Sequence, residues 1–460
     1  MEITCYGGIN EIGGNKFLIK DKDTKIFLDF GQSFGLLDDY FVDWLQPRER
    51  FGLRDYFALD LMPKIEGLYN DNALKPTDMK PKEPDFDAVF ISHAHYDHVA
   101  HLKYLHEKIP IYMGETCKTI LESHMQTAGS FFFTEEGFER PYAKTYVPPN
   151  TLKTFRTGNK ITLGTLEIVP VHVDHSVPGA YGFIIHGSEG SIAYTGDIRR
   201  HGSKPELTDD FIAAAREAGS DALLVEGTRV APEEKRKNHT EQSVYSNGLE
   251  VANRDRLILA MRYPKDLDRF RTFHDLAKAT GKTLVTTVKT AHLLLTLNSD
   301  IHLDTPHPFD DPHIKVYARE MLRPRPYEAE IRSKFECVGF DWVKKHQNKI
   351  IWELDFSQLQ ELIDVKPEPG GACIHSMSEP FEEDPMSQLQ DEILHNWLNR
   401  FSMEHHQLHA SGHASKDEIF EMCKTISPKK IIPVHTQYAE LFKESGLPVY
   451  LAGKGEAMEL

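Results

Sequence analysis

The strongest constraint on this chain is a six-residue run, His93-Ala94-His95-Tyr96-Asp97-His98. It follows the β-type run DAVFIS and precedes the apolar stretch VAHLKYL, so it reads as the turn from a strand into a predicted helix. His93 and His95 are two residues apart and share one side of an extended segment. Asp97 and His98 then fall where the chain turns. One short stretch thereby offers two imidazoles to one cation, and a carboxylate plus an imidazole to a second. Neutral imidazoles and carboxylates are standard ligands of Zn²⁺, with Mn²⁺ as the alternative. A histidine-rich surface turn has no need of these residue types in this order between a strand and a helix.

Four scattered residues extend the set. Asp29 ends the run KIFLDFG, His175 follows VPVHV, Asp197 closes YTGD, and His435 closes IIPVH. Singly, a strand-end Asp is ordinarily a turn cap. Together, each at a strand end, these residues read as ligands converging on one edge of a sandwich, with Asp29 as a support. His172 and Asp174 lie in the same region as His175, and His201 follows Asp197. His175 is preferred because it sits at the strand exit with Pro178-Gly179 just behind it.

The surrounding pattern fits such a sandwich. ITCYGGI, KIFLDFG, DAVFISH, IPIYMG, LEIVPVHV, AYGFIIHG, SIAYTGD and ALLVEG read as strands, and VAHLKYLHEK, TCKTILESHMQ and DDFIAAAREAG as helices. About fifty residues separate Gly31 from Asp85, far more than an ordinary loop, and this aromatic segment is expected to act as a packing cover, with a substrate-contacting lid as the alternative. After the charged stretch APEEKRKNHTEQ, a helix from about Thr240 opens a second rhythm. LILAMR, KTLVTTV, HIKVYA, NKIIWEL and GACIHS are strands between helices, the mark of a βα-type domain. The tail returns to short units: HQLHASGH, the helix SKDEIFEMCKTI, the strand KKIIPVH and a final PVYLAG.

A net charge of −17 argues against broad, unspecific nucleic-acid binding, because phosphates favour a basic surface. It says little about one cleft, since a dimetal centre brings its own carboxylates and cations. Five cysteines, odd in number and without a C-x-x-C pair, read as reduced thiols in a cytoplasmic protein. The opening MEITCYGGINEIGG carries no export signal, and no apolar run approaches a membrane span.

In order and spacing these residues resemble the metallo-β-lactamase superfamily, whose motifs run Asp, H-x-H-x-D-H, His, Asp, late His. The matching positions are Asp29, His93 to His98, His175, Asp197 and His435. The likeness extends to the β-CASP nuclease branch. Glu226 in LLVEGTR matches its acidic residue at the next strand end, a large insertion follows, and Ser411-Gly412-His413 matches its SGH motif. The late His is typically another residue in DNA-directed members, so His435 points to RNA. Within the branch the chain is similar to ribonuclease J of the short archaeal type, through GGINEIGGNKF, SGHAS and IIPVH. The resemblance covers nearly the whole chain.

It implies an α/β fold: a metallo-β-lactamase αββα sandwich from residues 1–231 and 405–460, with a β-CASP α/β domain inserted at 232–404. It implies two divalent transition-metal ions, zinc or else manganese, held by His93, His95, Asp97, His98, His175, Asp197 and His435. The implied reaction is hydrolysis of RNA phosphodiesters, 5′-to-3′ from 5′-monophosphate ends, with endonuclease action as a further property. The metals lower the pKa of a shared water, Asp97 and Asp197 orient it, His413 acts as general acid or hydrogen-bond donor, and Glu226 orients His413. Ribonuclease J binds the 5′-phosphate in its inserted domain. The matching stretches here carry Ser376 and Ser378, and Lys289, Thr290 and His292.

Two departures stand out. The family's His-Gly-Glu is His435-Thr436-Gln437 here, and 25 residues (460 − 435) follow His435 where the bacterial enzymes continue into a further domain. No dimer through that domain is carried over, and a homodimer is left open; RNA is the expected partner, and no membrane. The alternatives are a β-CASP endonuclease or DNA-processing nuclease, a small-molecule metallohydrolase, which has no need of the insertion, and a silent scaffold, which would have lost ligands.

Overall fold

The structure is a computed structural model of the chain, describing all residues except 43, 129–131, 135–136, 140–151, 235–238 and 381–383. The chain divides into two compact units: Met1–Arg200, Lys204–Lys235 and Gly412–Leu460 form the first, and His201–Ser203 with Arg236–Ser411 the second.

In the first unit two sheets face each other. One contains β1 (Glu2–Gly7), β2 (Lys16–Asp21), β3 (Thr24–Leu28), β4 (Ala88–Ile91), β5 (Ile111–Gly114), β8 (Leu152–Phe155) and the last strand, β21 (Ala457–Glu459), in the order β21-β1-β2-β3-β4-β5-β8. A small hairpin, β6 (Phe132–Thr134) and β7 (Gly137–Glu139), stands apart from it. The second sheet runs β20-β13-β12-β11-β10-β9, from β9 (Ile161–Leu163), β10 (Leu166–Val173), β11 (Ala180–His186), β12 (Ser191–Tyr194), β13 (Ala222–Glu226) and β20 (Lys430–Val434).

The period-2 alternation of these strands decides which side chains meet. Phe17, Ile19, Ile26, Leu28, Phe90, Leu166, Ile168, Phe183, Tyr194 and Ile432 form the core between the sheets. Val171 and Val173, on the opposite face of β10, join Phe211, Ile212 and Ala215 of the helix Pro205–Glu217. Ile419, Met422, Cys423 and Ile426 of the helix Lys416–Ile426 pack there too, at the i, i+3, i+4, i+7 spacing of one helical stripe. Leu53, Tyr56, Phe57, Leu68 and Tyr69 of the long 31–85 connection are buried, with Tyr69 packed between Phe30 and Phe57. The unit is an αββα sandwich, and from Leu53 to Leu74 the connection is a packing cover.

The second unit holds β14 (Ile258–Arg262), β15 (Thr283–Thr287), β16 (Ile314–Tyr317), β17 (Ile350–Glu353), β18 (Ala372–Ser376) and β19 (Glu404–Gln407). They form one all-parallel sheet in the order β16-β15-β17-β14-β18-β19. Parallel neighbours need long crossovers, and helices such as Leu267–Ala279 and Val288–Leu297 supply them. Thr240 caps the first helix, Glu241–Ala252, in a capping box with Ser243.

Three expectations need correction. VAHLKYLHEK is not one helix: a single turn, Tyr96–Val99, is followed by the 3₁₀ turn Leu102–Tyr104. His106 then donates its N–H to Leu68, so pairing with the long connection wins over helix propagation. Strands β2, β8, β9 and β21 of the two sheets are additional; β2 is disguised by its lysines, of which Lys16 is 2 % exposed and donates to the carbonyls of Gly14 and Gly31. Residues 405–411 stay with the second unit, because β19 pairs with β18 there. Among the described residues, no helix is long and apolar enough to cross a membrane.

Gly31 marks the tightest approach under the His93–His98 turn: a Cβ there would lie 1.8 Å from the Asp97 carbonyl oxygen. Gly31→Ala is therefore expected to cost about 2–4 kcal/mol. Gly35→Ala, where nothing lies within 4 Å, is expected to change stability by less than about 1 kcal/mol. Urea unfolding of the two variants checks the contrast; equal midpoints would contradict it.

Candidate metal centre

The strand ends of the sandwich deliver the polar residues to one edge. Asp29 directly follows β3, Ser92 and His93 follow β4, His175 follows β10, Asp197 follows β12, Glu226 ends β13 and His435 directly follows β20. Two of them, Asp29 at φ 57° and His435 at φ 53°, hold left-handed backbone that non-glycine residues avoid. Such strain persists where the surroundings over-determine it, as functional sites do.

Asp29 is fully buried and accepts four hydrogen bonds: from Ser92 N (2.7 Å), Ser92 Oγ (2.8 Å), His98 Nδ1 (2.7 Å) and Tyr194 Oη (2.6 Å). By taking the Nδ1 proton it turns the other nitrogen of His98 toward Asp97 and Asp197. The same device recurs. His175 Nδ1 donates to the Gly412 carbonyl at 2.6 Å, His435 Nδ1 hydrogen-bonds Thr228 Oγ1 at 2.7 Å, and His93 Nδ1 lies 3.0 Å from Ser92 Oγ. Each imidazole has one nitrogen tied down and presents the other to the centre.

The inward atoms fall into two adjoining groups. His93, His95, His175 and Asp197 form one, and Asp97, His98, Asp197 and His435 the other; within each, the ligand atoms lie within 4.8 Å of one another. Asp197 belongs to both. Its Oδ2 is 3.2 Å from His98 Nε2 and 3.4 Å from His93 Nε2, yet neither oxygen makes a well-oriented hydrogen bond, although the side chain is 2 % exposed. Ligand atoms gathered about shared points, with a buried carboxylate unpaired by hydrogen bonds, fit divalent metal ions. The cluster can bind them.

Electrostatics divide this donor set: burial alone would lower His98 and His435, but the carboxylates beside them outweigh it and raise both. Burial and the neighbouring imidazoles hold His93 and His175 below the ordinary histidine range, so they stay neutral ligands. Burial alone would raise Asp97 and Asp197, but the surrounding histidines outweigh it and keep both carboxyls ionised.

Beside this cluster His413 Nδ1 donates to both oxygens of Glu226 at 3.1 Å. Glu226 is buried, and it also accepts from Ile198 N and Thr228 N. A third ligand grouping, Asp197, Glu226 and His413, is already closed by that hydrogen bonding. His413 is 22 % exposed in its side chain against 2 % for His435.

Of the competing residues, His172 stacks on Tyr181, Asp174 pairs with Arg199 at 3.1 Å, and His201 Nε2 donates to the Ser411 carbonyl. Ser92, Tyr194, Thr228 and Asn15, whose amide lies 3.1 Å from His98 Nε2, escaped the sequence reading. The signals were faint: Ser92 directly precedes His93, and Tyr194 opens YTGD.

The residues expected to hold a phosphate lie in the second unit. Ser376 ends β18 but is fully buried, and its hydroxyl donates to the Leu408 carbonyl. Thr290 donates to Glu353 at 2.8 Å and accepts from Arg262 at 3.1 Å, and His292 meets the Tyr327 ring edge-on. β17 and β14 separate β15 from β18, a step of about 14 Å. Ser378 is only half-buried, and its backbone N–H donates to Tyr263 Oη at 3.3 Å.

Comparison with known proteins gives a consistent picture. Residues 59–259 match the family model "Beta-lactamase superfamily domain", and residues 400–452 match "Zn-dependent metallo-hydrolase RNA specificity domain". The chain is 22 % identical to ribonuclease J 1 of Streptococcus pyogenes over 100 % of its own length and 74 % of that protein. It is 21 % identical to ribonuclease J of Pyrococcus abyssi over 99 % and 94 %. The likeness to ribonuclease J enzymes thus runs the whole length of the chain. Against ribonuclease J of Sinorhizobium meliloti the match is 22 % identical over 78 % of this chain and spans 60 % of the relative's length. A crystal structure of a protein of unknown function from Enterococcus faecalis has the same fold, with a TM-score of 0.78 at 24 % identity over 100 % of this chain and 99 % of the other.

If His435 is a ligand and His413 is not, His435→Ala should lose metal, while His413→Ala should keep close to the wild-type content. Elemental analysis of the purified variants decides it. Equal metal loss in both would remove the distinction.

Proposed function

We propose that this chain is a two-metal ribonuclease that degrades RNA from a 5′-monophosphate end in the 5′-to-3′ direction, with internal cleavage as a lesser activity. The observation that carries metal-dependent hydrolysis of RNA is the pair of ligand groups joined at Asp197. The likeness of residues 400–452, which include His413 and His435, to an RNA-specificity domain supports RNA as substrate. The His-rich donor set supports zinc, with manganese as the alternative, and five free cysteines support a reducing, cytoplasmic setting. We read residues 1–231 and 405–460, less the 405–411 stretch, as the catalytic domain and the parallel-sheet unit as the β-CASP domain.

Bound at these ligands, the two ions supply a nucleophile at neutral pH and offset charge on the phosphate. The protein's own share follows from its geometry. Asp97 and Asp197 remain ionised and orient the attacking oxygen. The shared Glu226 carboxylate fixes the His413 ring through Nδ1, leaving the other nitrogen to serve the leaving ribose oxygen. Burial alone would lower the pKa of His413, but Glu226 and Asp197 outweigh it and raise it. That shift favours the protonated form that a general acid needs.

Excess chelator should abolish cleavage of a 5′-labelled RNA, and gel-resolved products should be mononucleotides from the 5′ end; full activity in chelator would sink the proposal. His413→Ala should slow cleavage by roughly 10²–10⁴-fold. An acid whose pKa is raised acts fully below that pKa and is lost as pH rises through it. Glu226→Gln lowers the pKa of His413, so the alkaline limb of the rate profile should move to lower pH. The double variant should be little worse than His413→Ala, because the two act as one unit. An unmoved limb, or multiplying effects, would show that Glu226 acts otherwise.

The 5′ preference rests on Lys289 and Ser378, the members of the expected pocket whose groups are least committed to the fold. RNA with a 5′-monophosphate should be degraded faster than the same RNA with a triphosphate, and Lys289→Ala with Ser378→Ala should narrow the gap. No difference between the two ends in the wild type would remove the pocket from the proposal.

A further inference from the structure

We infer that the loop of residues 7–16 holds one of the two metal sites in place, with Glu11 as its positioning residue. The site is the group of Asp97, His98, Asp197 and His435. The inference rests on the two-metal reading and goes further: one short loop sets the affinity of one ion and leaves the other to different supports.

The loop joins β1 to β2 and closes on itself: a Cβ at Gly7 would lie 2.1 Å from the Gly14 carbonyl oxygen. One end of it lies under the turn that carries Asp97 and His98. Asn15 N donates to the Asp97 carbonyl at 3.2 Å, Gly14 N to the Gln32 carbonyl at 2.9 Å, and Gln32 N to the Tyr96 carbonyl at 3.3 Å. The Lys16 ammonium donates to the carbonyls of Gly14 and Gly31, and Gly31 N donates to the Asn15 carbonyl at 3.1 Å. Gly13 packs against the ligand itself, since a Cβ there would lie 2.7 Å from the Cβ of Asp97.

The other end lies against the turn that carries His435. His435 N donates to the Gly8 carbonyl at 2.7 Å, and Ile9 and Glu11 both form β-bridges with Thr436. Glu11 holds Gly8 in turn, because its Oε1 accepts from Gly8 N at 3.0 Å. His435 keeps left-handed backbone at φ 53°, a conformation that persists only where neighbours enforce it. The Gly8 carbonyl is one such constraint, and Glu11 is the side chain that sets it. An ion pair does not account for this carboxylate: Glu11 is 9 % exposed, its Oε2 is buried without a hydrogen-bond partner, and Lys454, 44 % exposed, reaches Oε1 only at 3.5 Å. The first ligand group is held from elsewhere, His93 by Ser92 Oγ and His175 by the Gly412 carbonyl. A fault in the loop therefore spreads Asp97, His98 and His435 and leaves those two imidazoles in place.

The test is zinc binding by the full chain, read by elemental analysis after dialysis at stepped free zinc concentrations, with no RNA present. Two conservative variants replace Glu11→Ala, whose cavity would confuse stability with affinity. Glu11→Asp keeps the charge but is one methylene too short for Gly8 N; it should weaken one ion by roughly 10–100-fold and leave the other as in the wild type. Glu11→Gln keeps the acceptor without the charge and should bind both ions as the wild type does. Lys454→Met should change neither. Glu11→Asp with His435→Ala should still hold one ion, whereas Glu11→Asp with His95→Ala should hold neither at zinc levels that fill the wild type. Circular dichroism checks that each variant is folded. If Glu11→Gln weakens the ion as much as Glu11→Asp does, the hydrogen bond to Gly8 is not what matters and the inference is wrong. Equal weakening of both ions by Glu11→Asp, or of neither, overturns it as well and leaves the two-metal reading standing. A wild type that binds fewer than two ions removes the two-metal reading, and the inference with it.

Discussion

The first unit is organised around the carboxylate of Asp197. Both of its oxygens are buried, five imidazoles approach within 3.2–3.9 Å, and none of them hydrogen-bonds it in good geometry. Burying a charge without a partner costs several kcal/mol, so an arrangement of this kind needs concentrated positive charge at the points where its ligand atoms converge. The fold supplies the convergence from strand ends. Asp29 anchors Ser92, His98 and Tyr194 at once, so β3, β4 and β12 are held in a common register at that edge. The Gly412 carbonyl and the Thr228 hydroxyl hold His175 and His435 in turn. A change at any of these supports moves a ligand without touching the centre directly.

Much of this was legible in the sequence, and for a physical reason. A ligand at a strand exit leaves two marks, an alternating apolar run and a polar residue at its end, and His93, His175, Asp197 and His435 all carry both. The Glu226 and His413 pairing was legible only through family likeness, since 187 residues separate them. Spacing alone cannot report a contact of that range. The failures have causes of the same kind. β2 contains Lys16, whose ammonium is buried only because two carbonyls wait for it, and a lone lysine in a strand looks like a solvent face. The helix expected after His98 was broken by the backbone of a segment far back in the chain. Thr290 and Ser376 have the right chemistry for a phosphate, but a hydroxyl's partner is a tertiary fact; one is held by Glu353 and Arg262, the other by Leu408.

The acidity of the chain is also less paradoxical with the centre in view. Asp29, Asp97, Asp197 and Glu226 are all buried, so part of the negative charge belongs to the machinery and is offset there by histidines and by any bound cation. A polyanionic substrate then depends on local features more than on a general field.

His413 and His435 show how one fold separates two uses of the same side chain. Both lie in the returning tail, both sit near Asp197, and carboxylates outweigh burial to raise both pKa values, that of His435 to about 9. Their attachments differ. His435 is fixed through a neutral hydroxyl, and its Nε2 lies 2.8 Å from Asp97, deep among ligand atoms. Its raised pKa reflects nearby carboxylates that bound cations would compete for, so the proton it favours without them is the one a ligand has to give up. His413 is fixed instead through a carboxylate, on a ring partly open to solvent. Glu226 stays beside it whatever occupies the centre, so its support for the charged imidazole persists. A hydroxyl behind a histidine leaves it able to become a ligand, and a buried glutamate behind one keeps it an acid. That difference, more than distance from Asp197, is what supports the proposal of metal binding for one and proton delivery for the other.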